Sequence, residues 1–423
     1  MNYNVIDFGA RSGDDLQTKA IQAAIDACFQ SGGGRVTVPA GVYRVGCLRL
    51  RSNVELYLCS GAYLDGSRDP EDYMNWEQDA LEPTDPSEYA QRDRSTNPFS
   101  RWSNALIKAY RAKNIAVIGE PGSFLDGCDC VDAQGEEGYR GPHLMNFHEC
   151  ENVRLAGYTI RRSANWAHAI FHSQHITIDG ITVYGGHDGI DIRTCDHVLI
   201  QNCTLITGDD CVAGFDDIDV QVRDCYCESS TQTFRLGGTD ILIENIKAKA
   251  PAGYGFRGSL TKEERLAGVP THAGSRHRTR TPYLYFCDFR AVIRKTPGNI
   301  LVRNCHFDRP NALFWMPFGE QKWCVNKPLA QIKFENCVFD GLCDTALIHG
   351  GEETPIRYAL ENCLITPREG CEDMVLADAA RFESITFRNV ELRGFTNPVI
   401  HTDGSGTLEA GNSGVKLVPK PEN

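Results

Sequence analysis

The sequence lacks any apolar run long enough to span a bilayer, and Met1–Asn4 carries no basic residue of the kind that opens a signal peptide. Basic residues are also too few for a positive balance, because 43 Lys and Arg against 56 Asp and Glu give a net charge of −13. Nucleic acids and anionic membranes attract basic patches. We therefore expect neither as a partner.

Metal-binding patterns are also scarce. No Cys-x-x-Cys pair occurs among the 18 cysteines, and no other ligand spacing stands out. We expect no metal and no other cofactor. Many cysteines instead recur at one position of a repeat, where a reduced cysteine acts as a small hydrophobic residue. Free thiols are typical of a reducing compartment, so the prediction is a cytoplasmic protein.

A repeat runs through most of the chain. The steps from Gly157 to Gly180, Asn202, Asp224 and Asn245 are 23, 22, 22 and 21 residues. Each repeat has alternating apolar residues, a small turn residue and a second short apolar run, which predicts strand, turn and strand. A period in the low twenties indicates a β-solenoid. The residue after each turn is expected to point inward; these residues are Tyr158, Ile181, Cys203, Cys225, Ile246, Cys305, Cys337, Cys363 and Val390.

The rest of the chain is interpreted around this solenoid as one domain over residues 1–423. An amphipathic stretch over 14–30 predicts a helix that caps the exposed core at the N-terminal end. Residues 67–101 and 258–282 interrupt the repeat and are expected as loop insertions, which in solenoids often emerge on the binding face. The glycine-rich end, 404–423, is expected to be a loose tail.

Three aspartates mark a candidate site. Asp188 and Asp210 lie eight residues past Gly180 and Asn202, and Asp209 is adjacent. Equal offsets in successive coils predict stacked neighbours, roughly 5 Å apart. Carboxylates at such a range cannot all ionise freely, so a cluster of this kind is costly to the fold. Clusters with perturbed protonation are typical of functional sites.

Several motifs resemble glycoside hydrolase family 28, the polygalacturonase family of right-handed parallel β-helices. They are Phe8-Gly9-Ala10, Gln22–Ala27, Val38–Gly41, His187–Asp191 and Thr207–Cys211. The resemblance covers most of the chain from Asn4 to about Arg257. It implies an all-β right-handed parallel β-helix, and it implies that Asp209 is the general acid while Asp188 and Asp210 activate water. This assignment is chemically sensible, since an inverting glycosidase needs an acid for the leaving oxygen and a base for water on the opposite ring face.

The chain departs from the family pattern at two motifs. Gly186-His187 stands where the family has Asn-Thr, and Thr231-Gln232-Thr233 occupies the coil of the family's Gly-His-Gly. His187 could supply an imidazole from the other side, or it could be an ordinary turn histidine. The Arg-Ile-Lys motif has two candidates, Arg257 and the pair Arg294-Lys295.

Further residues are candidates for sugar binding. The alternation with Phe234 and Leu236 turns Arg235 outward, at the offset that His168 and Asp191 hold in earlier coils. There its guanidinium could bind a hydroxyl or carboxylate, or pair with a neighbour. Trp166 could stack on a sugar face or pack under a loop. The full set of substrate-binding candidates is Trp166, His168, His187, Asp191, Arg235 and Arg257.

The sequence thus predicts a glycoside hydrolase that acts on pectin-like oligosaccharides, by exo-action and with inversion. The alternative is a lyase or epimerase for uronic-acid-containing glycans, which would use an arginine as base and bind calcium through the aspartates. A second alternative is a carbohydrate-binding β-helix without activity. The expected partner is an oligosaccharide, and side-by-side association into a homo-oligomer is compatible with a solenoid.

Overall fold

The computed structural model describes residues 1–74, 81, 97–261, 263–264, 267, 269, 281–285, 294–320, 324 and 327–421. They form two compact units, an N-terminal unit over Met1–Leu205 and a C-terminal unit over Ile206–Asn423. In each unit the chain passes in turn through three sheets, here called first, second and third, whose strands are all parallel. This is the architecture of a parallel β-helix. The single-domain organisation stays a prediction.

The N-terminal unit holds the following strands. The first sheet contains Asn2–Asn4, Gly34–Val38, Val54–Leu58, Lys113–Gly119, Glu151–Ala156, Gln174–Asp179 and Asp196–Gln201. The second contains Gly13–Leu16, Gly41–Val45, Ala62–Gly66, Phe124–Asp126, Thr159–Arg161 and Thr182–Gly185, and the strand Thr204–Thr207 crosses the unit boundary. The third contains Leu48–Arg49, Ala105–Tyr110, His143–His148, His168–Phe171 and Ile190–Arg193.

The C-terminal unit repeats this arrangement. The first sheet contains Asp217–Arg223, Gly238–Glu244, Gly298–Arg303, Gln331–Glu335, Ile356–Glu361, Phe382–Arg388 and Thr407–Glu409. The second contains Tyr226–Ser229, Lys247–Lys249, His306–Asp308, Val338–Leu342, Leu364–Pro367 and Glu391–Leu392. The third contains Val212–Phe215, Gln232–Leu236, Thr281–Tyr285, Trp315–Pro317, Ala346–His349, Ala377–Ala380, Val399–Thr402 and Lys416–Pro419.

One α-helix, Thr18–Gln30, lies at the start of the described chain, and its buried face is formed by Ile21, Ala24, Ile25 and Cys28. The helix begins four residues later than the predicted boundary at 14, because Gly13–Leu16 forms a strand beside Gly41–Val45. Short 3-10 helices cover Val5–Phe8, Pro70–Tyr73, Arg101–Ser103, Glu136–Gly138 and Arg257–Ser259. In the described part of the chain, no helix has the length and apolar character needed to cross a membrane.

The predicted inward column forms the core of both units. All nine residues of the column are buried, with exposures of 3% or less. Its cysteines also bond the backbone: the Cys305 thiol lies 3.1 Å from the carbonyl oxygen of Arg303, and the Cys363 thiol lies 3.2 Å from that of Glu361. None of the described cysteines forms a disulfide. Each of these buried thiols therefore fills space in the core and bonds to a backbone carbonyl oxygen two residues earlier in the chain.

The turn residues before this column stabilise the stacking of the coils. Asn202, Asp224 and Asn245 all have φ of 55°, a left-handed conformation that Asn and Asp tolerate better than other side chains. The Asn245 amide donates to Asp224 Oδ1 at 3.0 Å, and the Asn202 amide donates to Asp179 Oδ1 at 2.8 Å. Each bond joins one coil to the preceding coil, so the turns help to fix the register.

The two predicted insertions lie partly outside the described residues, since 75–80, 82–96 and most of 262–280 are not described. The loose-tail prediction for 404–423 is wrong for its described part. The strands Thr407–Glu409 and Lys416–Pro419 pair with the first and third sheets of the C-terminal unit. The tail's glycines with positive φ mark the turns beside these strands, since Gly404 and Gly406 precede the first strand while Gly411 and Gly414 lie between the two.

Candidate active site

The three aspartates lie at corners that lead into the third sheet. Asp188 precedes the strand Ile190–Arg193 by two residues, and Asp210 precedes the strand Val212–Phe215 by the same number. The two side chains thus occupy the equivalent position of their coils. Both are buried, as is Asp209. Buried carboxylates require hydrogen bonds or opposite charges, so the neighbours of each decide its protonation.

In the C-terminal unit, one hydroxyl lies between two of these carboxylates. Thr231 Oγ1 is 2.9 Å from Asp209 Oδ1 and 3.1 Å from Asp210 Oδ1. A threonine hydroxyl has one proton and can donate to only one acceptor at a time. The second contact becomes a hydrogen bond when that carboxyl group carries a proton and donates it to Oγ1. The geometry therefore suits one ionised and one protonated carboxyl group.

Arg235 selects which carboxyl group is ionised. Its Nε donates to Asp210 Oδ2, and the Arg235 side chain is only 12% exposed. A guanidinium in contact with a carboxylate favours the charged form. The contact therefore favours the ionised form of Asp210.

The expectation for Arg235 is thus met in part. Phe234 and Leu236 are buried in the interior, so Arg235 does point outward, in register with Ala213. Its Nε, however, engages Asp210, which is the alternative of pairing with a neighbour. The arginine tunes a carboxylate of the site.

The backbone of Asp209 is fixed by two further hydroxyls. Thr207 Oγ1 donates to the Asp209 carbonyl oxygen at 2.8 Å, and Ser229 Oγ donates to the same oxygen at 2.9 Å. Both side chains are buried. Because each carbonyl oxygen has two lone pairs, it can accept both bonds. The direction of the Asp209 side chain is therefore set by its own coil and by the following one.

A small pocket lies beside Thr231. Its polar lining residues are Ser229, Thr231, Thr233, Lys249, Thr281 and Asp308. Among the described residues, no hydrogen-bond partner satisfies the buried Thr281 hydroxyl. The neighbourhood of the carboxylate pair is therefore rich in hydroxyl groups.

His168 does not belong to this outer face, so its prediction as a substrate-binding residue is wrong. The strand register pairs His168 with Met145 and Ile190, which point into the core, and pairs Asp191 with Ala169. The imidazole is fully buried, where Nδ1 donates to the Gly189 carbonyl oxygen and Nε2 accepts from the Tyr158 hydroxyl, both at 2.9 Å. Burial lowers the pKa of His168 to about 4. It is a neutral core residue.

Trp166 and Asp191 are joined by Arg193 in the N-terminal unit. Trp166 is 7% exposed and packs edge-on against Trp102, with ring centroids 5.0 Å apart. The guanidinium of Arg193 lies 4.5 Å from the Trp166 ring, and its Nε donates to Asp191 Oδ1 at 2.7 Å. Asp191 is fully buried. These contacts support the packed alternative for Trp166 and give Asp191 a structural ion pair.

The remaining candidates are placed as follows. His187 is buried with its ring centroid 6.1 Å from that of Tyr139. Arg257 is half-buried in the short helix Arg257–Ser259. Arg294 binds both the backbone and the carboxylate of Asp216, so that arginine has a structural partner. Its neighbour Lys295 lies near Asp240. Arg257 and the pair Arg294-Lys295 both stay predictions for the fourth motif.

Sequence reasoning missed Thr231 as a site residue. The available signal was its spacing, because Thr231 lies 22 residues after Asp209, which is one repeat of the solenoid. A residue one repeat later lies on the adjacent coil. A threonine at that spacing can reach a carboxylate in the coil before it.

Comparison with known proteins links this geometry to a family. Residues 90–231, which include all three aspartates and Thr231, match the model for glycosyl hydrolases family 28. A probable polygalacturonase of Vitis vinifera is 28% identical over 233 residues, which is 51% of this chain and 45% of that protein. An exo-poly-alpha-D-galacturonosidase of Dickeya chrysanthemi is 26% identical over 257 residues, or 49% and 41% of the two chains.

This chain therefore spans less than half the length of these curated relatives. Among solved structures, a family 28 exopolygalacturonase of Yersinia enterocolitica matches 100% of this chain and 79% of its own, with a TM-score of 0.64 and 19% identity. At that identity the match establishes the fold, a right-handed parallel β-helix. Over residues 90–231 the sequence is thus similar to glycosyl hydrolases family 28, and the described chain shares the fold of a family 28 exopolygalacturonase.

Proposed function

We propose that this protein hydrolyses a glycosidic bond in pectin-like oligosaccharides that contain uronic acid. The observation that carries the proposal is the pair of buried carboxyl groups Asp209 and Asp210, which share Thr231 Oγ1 while Arg235 holds Asp210 ionised. General acid–base chemistry needs such a difference between neighbouring carboxyl groups. The match to family 28 over the same residues and the names of the relatives support the substrate class.

Each carboxyl group has a distinct role in this proposal. Asp209 donates its proton to the departing glycosidic oxygen as the bond to the anomeric carbon breaks. Asp210 accepts a proton from a water molecule whose oxygen attacks that carbon from the opposite face, and the sequence assigns Asp188 the same task. The product has the inverted anomeric configuration, which is the outcome of single-displacement hydrolysis.

Exo-action on short chains belongs to the same proposal. One of the relatives is named as an exo-acting galacturonosidase. Location in a reducing compartment suits the 17 described cysteines, which are all free. In a reducing compartment such as the cytoplasm, the substrates would be short oligosaccharides that the cell has taken up. Short chains offer ends for exo-attack.

The test measures product chemistry. The protein is incubated with polygalacturonate and with trigalacturonate, in buffer with and without a calcium chelator. We expect new reducing ends, no unsaturated product that absorbs in the ultraviolet, and no effect of the chelator. NMR observed immediately after cleavage should show the inverted anomer. An unsaturated, absorbing product that requires calcium would instead establish a lyase.

A variant tests the acid. Asp209→Asn should lower kcat by a factor of about 100 or more, because general acid catalysis contributes at least that much. Asp240→Asn is the matched control, since the Asp240 side chain is 46% exposed. Both variants should retain the wild-type circular dichroism spectrum. Turnover by Asp209→Asn at the wild-type rate would remove Asp209 from the mechanism.

A further inference from the structure

We propose that the Thr231 hydroxyl returns a proton from Asp210 to Asp209 after each turnover, and so resets the site for the next substrate. This inference rests on the proposed hydrolytic function. It assigns a specific role to a residue that contacts both carboxyl groups, at 2.9 Å from Asp209 Oδ1 and 3.1 Å from Asp210 Oδ1.

The need for a reset follows from the proton balance of inverting hydrolysis. Asp209 begins protonated and loses its proton to the leaving oxygen. The attacking water gives its oxygen and one hydrogen to the anomeric carbon, and its other proton to the base. The substrate and water are thus fully converted to two hydroxyl-bearing products. The enzyme is left with an ionised Asp209 and a protonated base, which is the reverse of its starting state.

The Thr231 hydroxyl can correct this in one concerted step. The Asp210 carboxyl group donates its proton to Oγ1, while Oγ1 releases its own proton to Asp209 Oδ1. One O–H bond breaks at Asp210 as one forms at Oγ1, and a second breaks at Oγ1 as one forms at Asp209. The hydroxyl is therefore regenerated. No other reactant is required. After the step Asp209 is again the acid and Asp210 is again the anion.

The position of Thr231 is fixed by the fold. Its backbone N–H donates to Ser229 Oγ at 2.9 Å, and its carbonyl oxygen accepts from the Thr281 N–H at 3.1 Å. Threonine is stiff about χ1 because it is β-branched. Thr231, Asp209 and Asp210 are each 3% exposed or less. The surrounding chain therefore holds the hydroxyl and the two carboxyl groups in contact, which gives the proton a direct internal route.

Arg235 provides the direction of transfer. It binds Oδ2 of Asp210, whereas Thr231 contacts Oδ1 of the same carboxylate. The guanidinium favours the ionised form of Asp210. A proton that arrives at Asp210 during hydrolysis is therefore driven onward through the hydroxyl to Asp209.

The experiment compares the first turnover with later turnovers in Thr231→Val, which keeps the shape of the side chain but lacks the hydroxyl. Trigalacturonate is the substrate, and rapid quench records both a single turnover with excess enzyme and the steady state. We expect the single-turnover rate to fall much less than the steady-state rate, because Asp209 starts protonated. Steady-state kcat should fall by about 10-fold or more, within the range of proton-transfer effects, after a burst of one product per enzyme.

Control variants separate the hydroxyl from packing. Thr231→Ser keeps the hydroxyl and should restore steady-state turnover without a burst. Thr231→Ala removes it in a smaller side chain and should behave like Thr231→Val. Thr239→Val replaces a threonine that is also buried in the C-terminal unit and should match the wild type in both assays.

Several results would overturn the proposal. If Thr231→Val matches the wild type in both regimes, the proton returns through water instead. If both rates fall together, Thr231 only positions the carboxyl groups. If Thr231→Ser is as slow as Thr231→Val, the hydroxyl is not the important group. Failure of the hydrolytic function itself is recognised separately, because the wild type would then release no reducing ends from trigalacturonate in either assay.

Discussion

Arg235 and Asp210 form an ion pair that is almost closed to solvent, with the carboxylate fully buried and the arginine side chain 12% exposed. A buried charge is tolerated only when an opposite charge or hydrogen bonds compensate it. Here the same contact also keeps the proposed base ionised. Stability and chemistry therefore depend on one bond, and a substitution should affect both.

Arg235→Ala should destabilise the protein by about 3–5 kcal/mol, because it leaves the Asp210 carboxylate buried without its cation. Urea unfolding followed by circular dichroism measures the loss. Arg235→Ala combined with Asp210→Asn should be more stable than Arg235→Ala alone, since the uncompensated charge is then removed. Arg303→Ala is the control: its pair with Glu244 is more exposed, so about 1 kcal/mol or less is expected. Equal losses for Arg235→Ala and Arg303→Ala would contradict this account.

Trp166→Ala should lower the free energy of unfolding. The ring is 7% exposed and contacts Trp102 and Arg193, so its removal leaves a cavity. Truncation of a buried tryptophan typically costs about 3–5 kcal/mol. Thermal and urea unfolding should detect the loss, while Tyr184→Ala, at a residue that is 37% exposed, should change stability little. A rise in KM without a change in stability would show that Trp166 binds the sugar.

The hydrogen bonds between turn residues of successive coils lead to a separate prediction at Asn245. Its φ of 55° and its hydrogen bond to Asp224 Oδ1 both favour asparagine. Asn245→Ala should cost about 1–2 kcal/mol, because alanine is strained in the left-handed region and cannot donate the bond. Asn245→Gly should cost less, since glycine adopts this φ without strain. The ranking comes from urea midpoints, and a glycine variant less stable than the alanine variant would refute it.

The repeat allowed much of this structure to be predicted from the sequence. The inward column from Tyr158 to Val390 follows from period and polarity alone, and the equal offsets of Asp188 and Asp210 identified the corner that carries the carboxylates. Such features are local and recur in every coil. A small error in the alignment of one repeat does not change these predictions, because many coils carry the same pattern.

Predictions at single positions were less secure, because a slip of one residue moves a side chain to the other face of a strand. The repeat predicts the same offset for His168 and Asp191, yet the register pairs His168 with Ile190. The bond between Arg294 and Asp216 joins residues 78 positions apart, across an insertion of irregular length. No repeat can indicate such a contact.

The position of His168 in the core predicts how stability depends on pH. Burial lowers the pKa of its imidazole to about 4, and the bonds to Tyr158 and the Gly189 carbonyl suit the neutral ring. In the unfolded chain the pKa returns to about 6.5. Between these values the unfolded state binds a proton that the folded state does not bind. Stability is therefore complete above about pH 6.5 and falls as the pH drops toward 4.

His168→Gln tests this, because glutamine can donate and accept hydrogen bonds but does not titrate. The free energy of unfolding in urea is measured at intervals from pH 7.5 to pH 4.5. The wild type should lose up to about 1.4 kcal/mol per pH unit through His168 within this window, and the variant should lose that contribution. Some slope should remain, because burial also lowers the pKa of His143, to about 3.

The control for this measurement is His306→Gln, at a histidine on the exposed side of its strand. It should leave the slope of the wild type unchanged, since this side chain is exposed and not held in the core. If His168→Gln and His306→Gln give the same pH dependence as the wild type, the imidazole of His168 is accessible to protons in the folded protein. Its place in the core, and with it the register of the third sheet, would then need to be reassigned.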